Sequence, residues 1–211
     1  MNINSRVKAV VFDLDGVYFE SGTNNFMASL KRFYGLTQRQ IEDIYLNSRE
    51  IKQFKRGEIT SREFWGFAIQ KWNLEATQSE LVAMMLSGYN VREETQRYVE
   101  NLRASGVKTA ICTNNFSDRM EGLKEKFSLD KYFDSIVASY EIGTAKPCSG
   151  IFNHLADELN LMPNEIVMSD DRESNVVALQ ELGFNAFLYE DWKGFVEKID
   201  KLLGAQSGVK N

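Results

Sequence analysis

Val10-Val11-Phe12-Asp13-Leu14-Asp15-Gly16-Val17 is the stretch on which the reading of this chain turns. Val7 to Phe12 is dense in β-branched and aromatic residues, the composition of a strand buried on both faces. Two carboxylates stand at its end. Alternate residues of a strand point the same way, so Asp13 and Asp15 can face one site, and Gly16 lets the backbone turn sharply beyond them. A D-x-D-G string alone is equally a strand end running into a polar turn. What decides between the two readings is the rest of the chain.

Runs comparable to the first recur at Val107 to Cys112, Ile136 to Ala138, Ile166 to Met168 and Phe184 to Leu188. Segments of helical spacing lie between them at Thr95 to Ala104, Arg119 to Phe127, Gly150 to Leu159 and Glu173 to Leu182. Strand and helix alternating at this cadence read as an α/β fold, a Rossmann-like parallel sheet with helices on both faces. Gly106 and Gly183, each just before a strand, read as helix C-terminal stops.

Tyr18 to Tyr89 breaks the cadence. Helices are expected near Asn25 to Tyr34, Gln38 to Phe54, Ser61 to Trp72 and Gln78 to Leu86, with no strand between them. Three starts carry capping-box spacing: Thr37 with Gln40, Thr60 with Glu63, and Thr77 with Glu80. The expected organisation is a discontinuous core, residues 1–16 and 90–211, with an inserted helical-bundle cap over 17–89. Such an insert hangs beside the carboxyl end of the first strand, where open α/β sheets bind ligands.

The 211 residues suffice for one sizeable core or a core with an insert, and the composition, 43% hydrophobic and 26% charged, is that of a folded globular chain. A net charge of -5 with no dense Lys/Arg tract disfavours a nucleic-acid partner. Two cysteines, Cys112 and Cys148, outside any C-x-x-C pair, argue against a disulfide scaffold or structural zinc. Met1 to Arg6 leads into a strand too soon broken by Asp13 to be a secretory signal, and no apolar stretch approaches a membrane span. A soluble cytoplasmic protein without membrane contact is expected, and the sequence names no protein partner. The polar tail, Gly204 to Asn211, is expected to fray.

Each polar candidate follows a strand: Asp13 and Asp15 the first, Thr113-Asn114-Asn115 the second, Lys146 in the loop beyond the third, Asp170-Asp171 the fourth. In a parallel sheet those ends converge on one edge. Four scattered sites thereby become one, equipped for phosphoryl transfer. Each has a plainer reading: Thr113 or Asn115 as a helix N-cap, Lys146 as a solvated loop lysine, and the adjacent aspartates as first-turn acids favoured by a helix dipole.

The order D-x-D-G, then T-N after a strand, then G-x-x-K-P (Gly143 to Pro147), then D-D with Asn175 four residues on, resembles the haloacid dehalogenase superfamily. The likeness is to its branch with a helical cap inserted after the first motif, over about residues 7 to 190. It departs from the commonest strings at Gly16-Val17-Tyr18 and Cys148-Ser149, leaving the class intact and the subfamily open. The resemblance implies Asp13 as nucleophile forming an aspartyl-phosphate and Asp15 as general acid, then base. It implies a phosphate held by the Thr113 hydroxyl, the backbone N–H groups of Leu14 and Asn114, and Lys146. It implies Mg²⁺ held by Asp13, the Asp15 carbonyl and Asp170, with Asp171 reaching the metal through water or orienting Lys146, and Asn175 tying the loop.

Dehalogenating members lack the second acid, because a halide leaves without a proton. The expected activity is therefore Mg²⁺-dependent hydrolysis of a small phosphorylated metabolite. The alternatives are an intramolecular sugar phosphomutase and a non-enzymatic aspartate phosphoacceptor module. In the cap, Lys52, Lys55, Arg56 and Glu58 around Gly57 form the candidate specificity patch, otherwise a solvated surface. Phe64, Trp65 and Phe67 read as cap core, and Val17 to Glu20 and Ser87 to Asn90 as hinges. His154 reads as structural or superficial, Cys112 as an inert apolar residue.

Overall fold

The computed structural model describes residues 7–20 and 22–204. Five parallel strands form the sheet: β1 (Ala9–Phe12), β4 (Lys108–Thr113), β5 (Ser135–Ala138), β6 (Ile166–Asp170) and β7 (Asn185–Leu188). Their order is β5-β4-β1-β6-β7. The chain runs outward from β1 on one side, then crosses over and runs outward on the other. The reversal falls at β1, and the crevice it opens lies at the carboxyl ends. Register brings those ends level, with Phe12 beside both Ile111 and Ser169.

All four β1 residues are buried, which explains an apolar run without alternation. Val10 and Phe12 join a cluster with Val99 and Leu102 of α6 (Glu93–Ala104), Met120 and Leu123 of α7 (Ser117–Phe127), and Phe195 and Ile199 of α11 (Trp192–Leu202). Ala9 and Val11 face the opposite cluster, with Ile151, Phe152 and Leu155 of α9 (Ser149–Leu159) and Leu179 of α10 (Glu173–Glu181). The short helix α8 (Ser139–Ile142) follows β5 directly. Gly106 and Gly183 adopt φ of +79° and +88°, as expected of helix stops.

Between β1 and α6 lie α1 (Gly22–Tyr34), α2 (Gln38–Tyr45), α3 (Arg49–Phe54), α4 (Ser61–Trp72) and α5 (Gln78–Ser87). All three expected capping boxes form, at Thr37, Thr60 and Thr77. The single helix expected over Gln38 to Phe54 is instead two. Ser48 interrupts it, its hydroxyl accepting from the Ile51 N–H at 3.0 Å and donating to the Ile44 carbonyl at 2.6 Å. One side chain thus closes α2 and opens α3. The break re-aims the chain so that Ile41 and Tyr45 before it, and Ile51 and Phe54 after it, all reach the core.

A two-rung antiparallel ribbon was not expected: β2 (Phe19–Glu20) pairs with β3 (Asn90–Val91) where the helical segment leaves and rejoins the sheet. Two residues carry too little periodicity to announce a strand. No helix among the described residues is long and apolar enough to cross a membrane. The tail expected to fray lies, apart from Gly204, outside the described residues.

Candidate active site

Asp13 directly follows β1, Thr113 and Asp170 end β4 and β6, and Lys146 comes from the loop before α9. The Lys146 ammonium lies 2.6 Å from Asp170 Oδ2 and 3.0 Å from Asp13 Oδ1. Burial strips all three of water, so each charge answers chiefly to the other two. Burial pushes the Asp13 carboxyl up to about 7, with Lys146 opposing and Asp170 adding to the rise. Burial also works against the Lys146 charge, but Asp13 and Asp170 outweigh it and hold the ammonium above its ordinary range.

Asn114 fixes Lys146 by its backbone: the amide accepts from the Lys146 N–H at 2.7 Å and donates to the Lys146 carbonyl at 2.8 Å. On its other side, Asp170 Oδ1 accepts from Asn175 Nδ2 at 2.8 Å and the Arg172 N–H at 3.0 Å. Asp170 is therefore the lysine's partner, and of the two parts expected of Asp171 the orienting of Lys146 falls to its neighbour. The cause is positional, since Asp170 ends a buried strand whereas Asp171 stands exposed in the turn beyond. Asp13, Asp170 and Asp171 each offer a carboxylate oxygen within 4.8 Å of the others'. Burial and the Asp170 charge raise Asp171 as well. Crowded hard oxygens, two of the three carboxylates (Asp13 and Asp171) with raised proton affinity, are what a small divalent cation relieves.

Thr113 is 2% exposed and lines the same cleft. It is not a helix cap and neither is Asn115: α7 begins at Ser117 with Phe116 as N-cap and no side-chain cap bond. The Leu14 N–H donates to Asp13 Oδ1 at 2.7 Å. The cleft measures about 550 Å³ and takes its far wall from α1, α2, α3 and the loop after α3. Of the expected cap patch, Lys52, Lys55 and Arg56 all line the cleft, Lys55 half-buried and Arg56 also paired with Glu58. Burial, then the Arg119 charge, lower the Lys55 ammonium to about 8. Phe64 and Trp65 are fully buried, packed with Phe26, Tyr45 and Phe116.

Asp15 is held by groups that sequence reading missed. Tyr89 donates its hydroxyl to Oδ1 at 2.6 Å and Arg119 Nη1 donates to Oδ2 at 2.7 Å. A signal for Arg119 existed: it falls three residues after Phe116 and four before Leu123, on the apolar stripe of α7. A charge on that stripe needs a buried partner.

One sequence pattern spans residues 7–183, that of the haloacid dehalogenase-like hydrolases. The chain belongs to this family. Within it, D-ribitol-5-phosphate phosphatase of Bacteroides thetaiotaomicron is 25% identical over 89% of this chain and 95% of its own length. Bifunctional epoxide hydrolase 2 of Rattus norvegicus is 27% identical over 61% of this chain, a match that spans about a quarter (24%) of the relative's length. Among solved structures, a HAD family enzyme of Bacteroides thetaiotaomicron, in complex with magnesium and inorganic phosphate, superposes with a TM-score of 0.77. It is 22% identical, covering 90% of this chain and 98% of that one, and shows the shared fold.

Proposed function

We propose that this chain hydrolyses phosphomonoesters of small metabolites. The observation carrying this reading is the buried Asp13–Lys146–Asp170 cluster, with Asp171 beside it, at the foot of a cleft of small-molecule size. Matching relatives named as phosphatases support it, among them the ribitol phosphate enzyme and a phosphorylated carbohydrates phosphatase of Thermotoga maritima.

Asp13 attacks phosphorus and forms an aspartyl-phosphate, which water then cleaves. Attack requires the ionised form, toward which Lys146 pulls against the upward push of burial. The Thr113 hydroxyl and the N–H groups of Leu14 and Asn114 donate to the phosphoryl oxygens as charge spreads over them. For Leu14 that means giving up its present bond to Asp13. Asp15 gives a proton to the departing oxygen and later takes one from the attacking water.

Asp13, Asp170, Asp171 and the Asp15 carbonyl are the groups that would hold Mg²⁺. When bound, it neutralises charge on the phosphoryl group during transfer. Residues 17–89 serve as the cap, excluding bulk water and admitting small substrates. A reducing cytosol suits the unpaired Cys112 and Cys148.

The test is a panel of phosphorylated metabolites assayed with Mg²⁺ and with chelator, alongside Asp13→Asn. Inorganic phosphate release by the wild type and its loss in the variant, with circular dichroism unchanged, are expected. Equal turnover by folded Asp13→Asn would remove Asp13 as nucleophile, and an isomerised sugar phosphate as product would mark a mutase.

A further inference from the structure

Both oxygens of the Asp15 carboxylate are engaged by donors from distant parts of the chain, Tyr89 just before β3 and Arg119 on α7. The Arg119 side chain is 3% exposed. Its guanidinium lies over three rings, 4.7 Å from the centroid of Phe116, 5.6 Å from Tyr89 and 5.7 Å from Tyr45. Nη2 donates to the Tyr45 hydroxyl, and among the described residues Nε has no acceptor.

As a packing residue Arg119 is a poor choice. A methionine or leucine on the same stripe would fill the space without desolvating a cation, and burying ion pairs seldom improves stability. What a guanidinium adds is direction. Its nitrogens are locked in a plane, so a bond from Nη2 to Tyr45 fixes where Nη1 points. Tyr45 ends α2, on the far wall of the cleft. The path from that helix to Asp15 has a single intermediary.

We infer that Arg119 is a positioning residue, aiming the Asp15 carboxylate at the leaving-group oxygen and tying that aim to the seating of α2. Tyr89 completes the aim from the other side. This rests on the proposed phosphatase reading, in which Asp15, carrying a proton on an oxygen lone pair that neither Tyr89 nor Arg119 occupies, passes it to the departing oxygen and is left as the carboxylate that both donors hold. It predicts that Arg119 matters where the leaving group needs a proton and matters little where it does not.

Two substrates separate these cases with the whole chain in Mg²⁺: a polyol phosphate, whose alkoxide departs only with a proton, and para-nitrophenyl phosphate, whose phenolate departs without one. The readout is kcat/KM, which reports events up to departure and so leaves out later hydrolysis of the aspartyl-phosphate. Arg119→Met, like Asp15→Asn, is expected to lower kcat/KM about 100-fold on the alkyl ester and less than about threefold on the aryl ester. Tyr89→Phe, which removes one hydroxyl and keeps the ring, should shift the same ratio about tenfold. Arg119→Lys keeps the charge without the fork and should resemble Arg119→Met.

Equal losses on both substrates in folded Arg119→Met and Tyr89→Phe would make Arg119 a packing residue and overturn the inference. Should Arg119→Met fail to fold, Tyr89→Phe decides alone. A wild type that hydrolyses neither ester, nor any phosphorylated metabolite of the panel above, overturns the phosphatase reading instead.

Discussion

Lys146 joins two carboxylates that would otherwise repel one another in a dry site. Replacing it with methionine leaves Asp13 and Asp170 buried and facing each other, a loss of about 3 kcal/mol by the usual cost of breaking a buried pair. Thermal unfolding of Lys146→Met should show that loss in chelator and a partial recovery in Mg²⁺. Asp13 gives a second expectation, in pH. Its folded pKa of about 7 lies above the ordinary 3.8, so across that interval the folded chain binds a proton that the unfolded chain has released. Metal-free stability should fall as pH rises between those values. Asp13→Asn should flatten the slope, as read from melting temperature against pH. Mg²⁺ competes with the same proton, so its affinity, measured by calorimetry, should strengthen through neutrality. At this scale the chain was legible where a residue's place follows from the end of a strand, as for Asp13, Thr113 and Asp170. It was illegible where the role depends on a partner folded in from elsewhere: nothing local to Tyr89 points to a carboxylate 74 positions away.

Among elements, the turn after α3 is one place where the helical segment bears on the rest of the chain, against α8. Gly57 sits there at φ +68°, and a Cβ on it would meet the Tyr140 carbonyl oxygen at 2.3 Å. Ser139 secures the same contact, its hydroxyl donating to the Lys55 carbonyl and accepting from the Asn115 N–H at 3.0 Å. Gly57→Ala therefore combines backbone strain with an unyielding neighbour. It should speed amide hydrogen exchange across residues 55–61 while leaving β1 and β6 protected, and unchanged exchange at that turn would count against the contact. Nearby, Asp118 on α7 accepts from Ser61 and from Trp65 Nε1, the latter at 3.0 Å. Helix content was legible from spacing and from the threonine caps. The break at Ser48 was not, because serine is tolerated inside a helix, and its hydroxyl declares a side only once Ile44 and Ile51 are placed.

For the molecule as a whole, one apolar cluster runs from Phe26, Tyr45 and Trp65 of the helical segment through Phe116 and Met120 to Phe12 of the sheet. Continuity of that kind couples the melting of both parts. Trp192→Phe leaves two tryptophans, Trp65 and Trp72, both in α4, so fluorescence then follows that helix while circular dichroism follows the whole chain. The two urea transitions should coincide. Separate midpoints would divide the chain into independently folding units.

The two-rung ribbon of β2 and β3 carries a consequence of another kind. Because departure and return are stitched side by side, the intervening stretch behaves like a plug in a socket. Its length can drift over generations at little entropic expense, since the cost of holding the two ends together grows only with the logarithm of the length between them. The five-stranded sheet can thus keep its register while the stretch between β2 and β3 changes size.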